Sequence, residues 1–163
     1  MPVGKHKILL LEDDPVRALI FESVVKRGVG DMMTCSDVAT ALRHLKGRKF
    51  DLCVVDLGVY LKGEEFDERG GIEFIATARA EITRSVPMIV VTSVRDPKAL
   101  IPCFEAGADD YVVKDETMEA TFKRIRSWLN GVPFSNTYLE QKRREVLYGL
   151  RAMEAAKEDV EWI

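Results

Sequence analysis

The chain has 163 residues, 47% of them hydrophobic, and a formal net charge of −3 at pH 7. That hydrophobic content suffices for a packed core, which excludes disorder along most of the chain. The acidic balance gives no electrostatic reason to expect nucleic-acid binding. No apolar run reaches the roughly 18 residues of a membrane span, and none near the N-terminus resembles a secretory signal. We therefore expect a soluble, cytoplasmic protein with one domain and an appendage.

Three cysteines, Cys35, Cys53 and Cys103, are widely separated, and no C-x-x-C pair occurs. This spacing predicts small buried residues in a reducing compartment rather than a disulfide framework or a zinc site. His6 and His44 have no partner at the spacing of metal ligands, so we interpret both as surface residues.

Apolar runs alternate with helical patterns from the N-terminus onward. The apolar run 7–11 predicts a buried strand. Asp14 is then a suitable N-cap and Pro15 suits the first position of a helix. We expect this helix to stop near Arg27-Gly28, where glycine can adopt a left-handed conformation. Its predicted core face consists of Val16, Leu19, Ile20 and Val24.

The same pattern continues through the middle of the chain. A short strand over 32–35 precedes a helix that Ser36 or Asp37 caps and Gly47 closes. The core face predicted for that helix consists of Val38, Leu42 and Leu45.

The apolar run 52–55 predicts a strand buried on both faces, because a half-exposed strand would alternate polar with apolar residues. We interpret 59–71 as an irregular segment, followed by a helix over 72–81. The face predicted for this helix consists of Ile72, Ile75, Ala76 and Ala78.

Two further strand-helix units complete the pattern. A strand over 88–92 follows a proline, which a strand tolerates at its first position. Asp96 and Pro97 then predict the N-cap and first residue of a helix that runs to Ala106-Gly107. Because Pro102 lies inside it, we expect this helix to be short, to be kinked or to begin late. A strand over 111–113 and an amphipathic helix over 117–130 follow, and the latter ends at a glycine.

Strand and helix thus alternate five times, which predicts an α/β fold with a parallel sheet covered on both faces. Right-handed crossovers leave few topologies, and we expect the doubly wound order 2-1-3-4-5. The carboxyl ends of strands one, three, four and five then meet at one rim. The polar residues at these ends are Glu12, Asp13, Asp56, Thr92 and Lys114.

These residues make chemical sense as one site. Three carboxylates within a few ångströms repel one another and raise at least one pKa unless a cation joins them. A hard divalent ion compensates, and we expect Mg²⁺, with Mn²⁺ as the alternative. Asp56 could then attack phosphorus to form an aspartyl phosphate. The negative charge of the phosphoryl oxygens would be neutralised by the metal ion, the Lys114 ammonium and the Thr92 hydroxyl.

Four segments, KILLLEDDP, FDLCVVDL, PMIVVTS and AGADDYVVK, occur in this order over residues 5 to about 130. Together they resemble the receiver domain of a two-component response regulator. The resemblance implies a receiver domain over 1–131 that takes a phosphoryl group from a sensor histidine kinase or a phosphotransfer protein. It also implies a self-phosphorylating acceptor with no separate substrate turnover.

The resemblance implies metal ligands and an acceptor. Asp56 matches the phosphoacceptor, Asp13 and Asp56 match the direct Mg²⁺ ligands, and Glu12 matches a ligand that acts through water. The backbone carbonyl of Gly58 would complete the metal site.

The resemblance also implies the residues that respond to phosphorylation. Thr92 matches the switch hydroxyl, Lys114 the phosphate-binding lysine, and Tyr111 the aromatic residue whose rotamer follows phosphorylation. Asp14 lies beside the metal ligands, but we interpret it as a helix N-cap.

Three features depart from the family pattern. The loop after Asp56 is longer than usual, and the additional residues, within 60–70, are charged. They fit a surface insertion, a flap over the acidic site or a contact with a partner protein. Asp115 stands where the family usually has a proline after the lysine that matches Lys114. We therefore predict that the peptide bond between Lys114 and Asp115 is trans and that the loop after it is displaced. Neither Gly58 nor Val94 can orient an attacking water, so we hypothesise a slowly hydrolysed phosphoryl group.

Residues 132–163 are predicted to form a C-terminal helical extension or a linker. The basic triplet 142–144 within them is interpreted as a solvated face rather than a nucleic-acid contact. Asp109, Asp110 and Arg124 resemble charged positions at which many receivers dimerise. A homodimer through that face or through the C-terminal helix is therefore one hypothesis.

Two other functions compete with a phosphorylated switch. A pseudo-receiver that acts as a constitutive interaction module would explain the missing proline and the long loop. A Mg²⁺-dependent phosphohydrolase would use similar acids, but it usually needs a further acid or base where Gly58 stands.

Overall fold

The computed structural model describes residues 6–28, 30–93, 97–114 and 118–131, together with 144 and 148. Its helices and strands in chain order are β1 (His6–Leu11), α1 (Pro15–Lys26), β2 (Gly30–Cys35), α2 (Val38–Gly47), β3 (Leu52–Val55), β4 (Val59–Lys62), β5 (Glu65–Asp67), α3 (Gly70–Glu81), β6 (Met88–Thr92), α4 (Pro97–Ala106), β7 (Asp110–Val113) and α5 (Glu119–Asn130). No helix in these ranges is both long and apolar enough to cross a membrane.

The main sheet has the order β2-β1-β3-β6-β7, and all its neighbouring strands pair in parallel. This confirms the predicted α/β fold and the order 2-1-3-4-5, with β6 and β7 as the fourth and fifth strands. All four residues of the central strand β3 are buried, as the unbroken apolar run predicts.

Helices cover both faces of the sheet, so the core has two layers. Alternate residues of β1 point to opposite faces: Leu9 and Leu11 pack in one layer with α2, α3 and α4, whereas Ile8 and Leu10 pack in the other. In the second layer α1 and α5 meet through Phe21 and Phe122, whose ring centroids are 5.5 Å apart at an interplanar angle of 68°.

The predicted core face of α1 is wrong at three of its four residues. The buried residues of α1 are Ala18, Phe21 and Val25, whereas Val16 and Leu19 are 64% and 65% exposed. Ile20 is also exposed and Val24 is only partly buried. This helix carries apolar residues on more than one side, and contact with Phe122 of α5 selects the stripe that contains Phe21.

The helix ends follow local chemistry at most of the predicted positions. The carboxylates of Asp14 and Asp37 accept backbone N–H groups of the first turns of α1 and α2, which confirms Asp14 as an N-cap and selects Asp37 over Ser36. Gly131 caps α5 in the left-handed region, with φ of 65°. The predicted end of α1 near Arg27-Gly28 is confirmed, since Arg27 caps the helix, but Arg27 has φ of −74° and Gly28 does not enter the left-handed region.

The segment interpreted as irregular is ordered. β4 and β5 form an antiparallel hairpin in which Tyr60 pairs with Phe66, and Gly63 provides the turn with φ of 58°. An isolated bridge joins Tyr60 to Asp37 at the start of α2. The hairpin is therefore attached to the body of the domain rather than extended into solvent.

Helix α3 begins at Gly70, two residues before the predicted start. Its buried residues include Phe74, Ile75 and Ala78, whereas Ala76 is exposed, so the predicted face is only partly right. Helix α4 has ten residues with Pro102 inside, in line with a short helix at that position.

Several predictions fall outside the described residues. These are the Asp96 cap, the bond between Lys114 and Asp115, Val94, and the start of the last helix at 117. The extension over 132–163 is described only at Arg144 and Tyr148, which are both helical. The boundary at 131 stays a prediction.

Gly71 should be sensitive to substitution because a Cβ there would lie 2.1 Å from the backbone oxygen of Asp56. We expect Gly71→Ala to lower the free energy of unfolding by about 1–3 kcal/mol. The matched control is Gly47→Ala, since a Cβ at Gly47 meets nothing within 4 Å and alanine favours the helix. Urea denaturation of both variants tests this, and wild-type stability of Gly71→Ala would contradict it.

Burial should keep the three thiols unreactive. Desolvation raises the pKa of Cys35 to about 11 and the pKa values of Cys53 and Cys103 to about 12. Because the thiolate is the nucleophile, alkylation of the native protein should stay slow up to about pH 9. Iodoacetamide labelling followed by mass spectrometry should show all three thiols modified in urea, and rapid labelling of the native chain would contradict the structure.

Candidate functional site

Three carboxylates converge at the carboxyl ends of β1 and β3. Glu12 and Asp13 follow β1, Asp56 follows β3, and one oxygen from each lies within 4.8 Å of the others. Glu12 and Asp56 are buried, and Asp13 is half-buried. The sheet thus brings together the three acids that the sequence places at its rim.

Lys114 joins the acids from the end of β7. Its ammonium Nζ donates to Oδ2 of Asp56 at 2.8 Å and to Oε2 of Glu12 at 3.0 Å, and the residue is only 8% exposed. Its backbone N–H donates to the carbonyl of Thr92 at 2.8 Å. Lys114 therefore reaches the acids although an aspartate follows it in the sequence.

Backbone hydrogen bonds fix the acids. The N–H of Asp56 donates to the carbonyl of Leu11, and the N–H of Glu12 donates to that of Cys35, both at 3.0 Å. Oδ1 of Asp56 accepts the N–H of Leu57 at 2.7 Å while Oδ2 faces Lys114. These contacts fix the orientation of the Asp56 carboxylate.

The electrostatics of the cluster favour a cation. Burial, with repulsion from Asp56, raises the pKa of Glu12 to about 7, although Lys114 opposes the change. Burial also raises the pKa of Asp13. Since one ammonium cannot balance three ionised carboxylates, the oxygen-rich cluster fits a hard divalent ion such as Mg²⁺. Gly58 lies two residues past Asp56, at the start of the hairpin connection.

Thr92 and Tyr111 lie on the two strands beside Lys114. Thr92 ends β6, is fully buried, and is in register with Val113 of β7. Tyr111 lies on β7 and is half-buried against the first core layer. Thr92 is therefore adjacent to the Lys114 backbone, and the switch roles of Thr92 and Tyr111 stay predictions.

The charged residues of the hypothesised dimer face are paired within the chain. Oδ2 of Asp109 accepts Nη2 of Arg79 at 2.7 Å and the N–H of Met88 at 2.9 Å. Asp110 pairs with Arg124, whose Nε lies 2.6 Å from Oδ2. These acids stabilise the protomer itself, and their role in a dimer stays a prediction.

Sequence reasoning missed Phe66. Its ring lies over Gly58 and packs edge-on against Tyr60, with ring centroids 5.5 Å apart. The sequence does contain a signal for this contact, because Tyr60 and Phe66 lie on either side of a glycine-containing turn. The two aromatic residues pair across the hairpin. A cleft of about 610 Å³ opens beside the ring, with walls that include Leu57, Gly58, Phe66, Ile72, Ala99 and Pro102.

Comparison with known families agrees with this geometry. Residues 8–126 match the family described as the response regulator receiver domain. The chain belongs to this family. The receiver domain accounts for most of the described residues, including the three acids and Lys114.

Curated relatives of this receiver domain are longer proteins. It is 31% identical over 130 residues to the DNA-binding response regulator MtrA of Mycolicibacterium smegmatis, covering 79% of this chain and 53% of that protein. It is 27% identical over 154 residues to the transcriptional regulatory protein BasR of Escherichia coli, covering 88% of this chain and 64% of that protein. The chain thus spans between about half and two thirds of these relatives.

A solved structure shares the fold of this receiver domain. It is the receiver domain of sensor histidine kinase PA1611 from Pseudomonas aeruginosa PAO1, with a magnesium ion coordinated in the active site cleft. The TM-score is 0.65 at 25% sequence identity, covering 78% of this chain and 99% of that one.

Neighbouring aspartates should differ in their effect on Mg²⁺ binding. Asp13→Asn removes a carboxylate from the cluster, so we expect Mg²⁺ affinity to fall by more than about tenfold, since even outer-shell partners cost about 10–100-fold. Asp14→Asn should bind as wild type, because asparagine also serves as an N-cap. Isothermal titration calorimetry measures both, and equal losses would argue against this metal site.

Proposed function

We propose that this receiver domain accepts a phosphoryl group on Asp56 in a Mg²⁺-dependent reaction and acts as a phosphorylation-controlled signalling switch. The donor is the phosphohistidine of a sensor histidine kinase or a histidine phosphotransfer protein. The single observation that carries the proposal is the contact of Lys114 with Asp56 inside a cluster of three acids. This arrangement provides a nucleophile, a fixed cation and metal ligands at one rim.

The chemical step uses the carboxylate of Asp56. One of its oxygens attacks phosphorus, a P–O bond forms, and the P–N bond of the phosphohistidine breaks with its electron pair going to the imidazole. Asp13, Asp56 and the Gly58 carbonyl would hold Mg²⁺ directly and Glu12 would hold it through water, and the ion would supply positive charge for the phosphoryl oxygens. The reaction needs positioning more than acid-base chemistry, which suits a carboxylate already oriented by Leu57 and Lys114.

Lys114 supplies the second positive charge. Its ammonium bridges Glu12 and Asp56, so one positive charge is shared by two buried carboxylates. When a cation balances Glu12, the ammonium can pair with a phosphoryl oxygen on Asp56 instead. The flexible lysine stem allows this change without movement of β7.

The switch follows from the charge added at Asp56. Phosphorylation adds strong acceptor oxygens beside Thr92, whose hydroxyl is drawn inward to bond one of them. Thr92 and Tyr111 lie on neighbouring strands β6 and β7, so this movement reshapes the face formed by α4, β7 and α5. A partner protein that binds this face would then distinguish the phosphorylated from the unphosphorylated domain.

Phosphorylation of Asp56 can be tested with a small phosphodonor. Incubation with acetyl phosphate and Mg²⁺ should give one phosphoryl adduct by mass spectrometry, and hydroxylamine should remove it. Asp56→Asn should give none. The matched control is Asp51→Asn, an exposed aspartate before β3 whose bond to the Lys7 N–H asparagine can keep, and it should be labelled as wild type.

Two results would contradict the proposal. An adduct on Asp56→Asn would place the acceptor elsewhere. Wild-type protein that binds Mg²⁺ but takes up neither a phosphoryl group nor beryllofluoride would instead indicate a constitutive interaction module.

A further inference from the structure

We propose that Phe66 is a positioning residue that shields the phosphoryl group on Asp56 from water and so prolongs its lifetime. The inference rests on the proposed function, because it requires an acyl phosphate on Asp56. It assigns a chemical role to the hairpin formed by β4 and β5, which the phosphoacceptor mechanism does not otherwise use.

The position of the ring carries the inference. A Cβ built on Gly58 would lie 3.1 Å from Cζ of Phe66 and 3.8 Å from Cε2. The tip of the ring therefore occupies the space into which a side chain at residue 58 would extend. Residue 58 is two positions past Asp56, so Phe66 provides from the hairpin the side chain that Gly58 lacks.

The hairpin holds the ring in this place. Phe66 pairs across the strands with Tyr60, and their rings meet edge-on at an interplanar angle of 76°. The buried side chain of Val59 anchors the first strand in the core. The second strand returns directly to Gly70, which packs so closely on Val59 that a Cβ there would lie 2.8 Å from Cγ2.

Core packing does not account for the ring. Phe66 is 52% exposed, and it belongs to neither buried core layer. It lines the cleft beside Gly58 instead. A half-exposed phenylalanine gains less from burial than one in the core, which points to a role at the rim of the site.

The shielded reaction is hydrolysis of the acyl phosphate. A water oxygen attacks phosphorus, a new P–O bond forms, and the bond from phosphorus to the Asp56 oxygen breaks with its electron pair returning to the carboxylate. The water protons leave with inorganic phosphate and solvent. A polar side chain at residue 58 could hold the attacking water by a hydrogen bond, whereas Gly58 has no side chain and the Phe66 ring offers only apolar surface.

The decay of the phosphorylated protein tests the inference. The protein is phosphorylated with acetyl phosphate and Mg²⁺, the donor is removed, and the adduct is followed by mass spectrometry. We expect Phe66→Ala to lose the phosphoryl group several-fold faster than wild type. Phe66→Leu keeps an apolar group over Gly58 and should restore most of the lifetime. Tyr148→Ala, which removes another exposed aromatic, should decay as wild type.

A double-variant cycle separates shielding from a general loss of structure. In Gly58→Ala the new Cβ would lie 3.1 Å from Cζ of Phe66, so the ring must shift by a few tenths of an ångström, whereas in Gly58→Ala with Phe66→Ala the same Cβ meets no ring. We therefore expect the effects of the two substitutions on the decay rate to be non-additive. Mg²⁺ affinity of Phe66→Ala, measured by calorimetry, should equal that of wild type. Loss of affinity in parallel with faster decay would overturn the shielding role.

The possible failures are distinguishable. If wild-type protein takes up no phosphoryl group, the proposed function is wrong, and so is the role of Phe66, which requires that group. If wild type is phosphorylated and Phe66→Ala decays at the wild-type rate, only the role of Phe66 is overturned. Additive effects of Gly58→Ala and Phe66→Ala would also overturn it.

Discussion

One buried ammonium group, that of Lys114, contacts the carboxylates of both Glu12 and Asp56, and the candidate site depends on these two contacts. The three side chains follow β7, β1 and β3, so they meet only after the parallel sheet is complete. Loss of Lys114 would leave two buried carboxylates without their cation, and such a loss from a buried ion pair typically costs about 3–5 kcal/mol. The Lys114 contacts therefore order the acceptor and keep its buried acids paired in the folded domain.

Much of the fold and of the rim could be predicted because its signals are local. The unbroken apolar run of β3 indicates a strand covered on both faces, and Asp14 with Pro15 marks a helix start by its own chemistry. Parallel strands then place their carboxyl ends at one edge, which is enough to collect Glu12, Asp56 and Lys114 without any knowledge of distances.

The rest depends on contacts between distant segments. Helix α1 has apolar residues on several sides, and only the contact of Phe21 with Phe122 decides which stripe is buried. The hairpin lies in a charged segment with weak alternation, and its pairing depends on a tight turn at Gly63. The approach of Phe66 to Gly58 appears only when the hairpin folds back over the end of β3.

The hairpin is held at its base and open at its tip. Val59 is buried, and Gly71 donates its N–H to the carbonyl of Leu57 at 2.9 Å, whereas Gly63 and Glu64 at the turn are exposed. Because Glu64 is exposed, a dye attached to a side chain at that position leaves both the Gly63 turn and the acidic rim in place. This turn is consequently a natural attachment point for a probe that reports on molecules approaching Asp56.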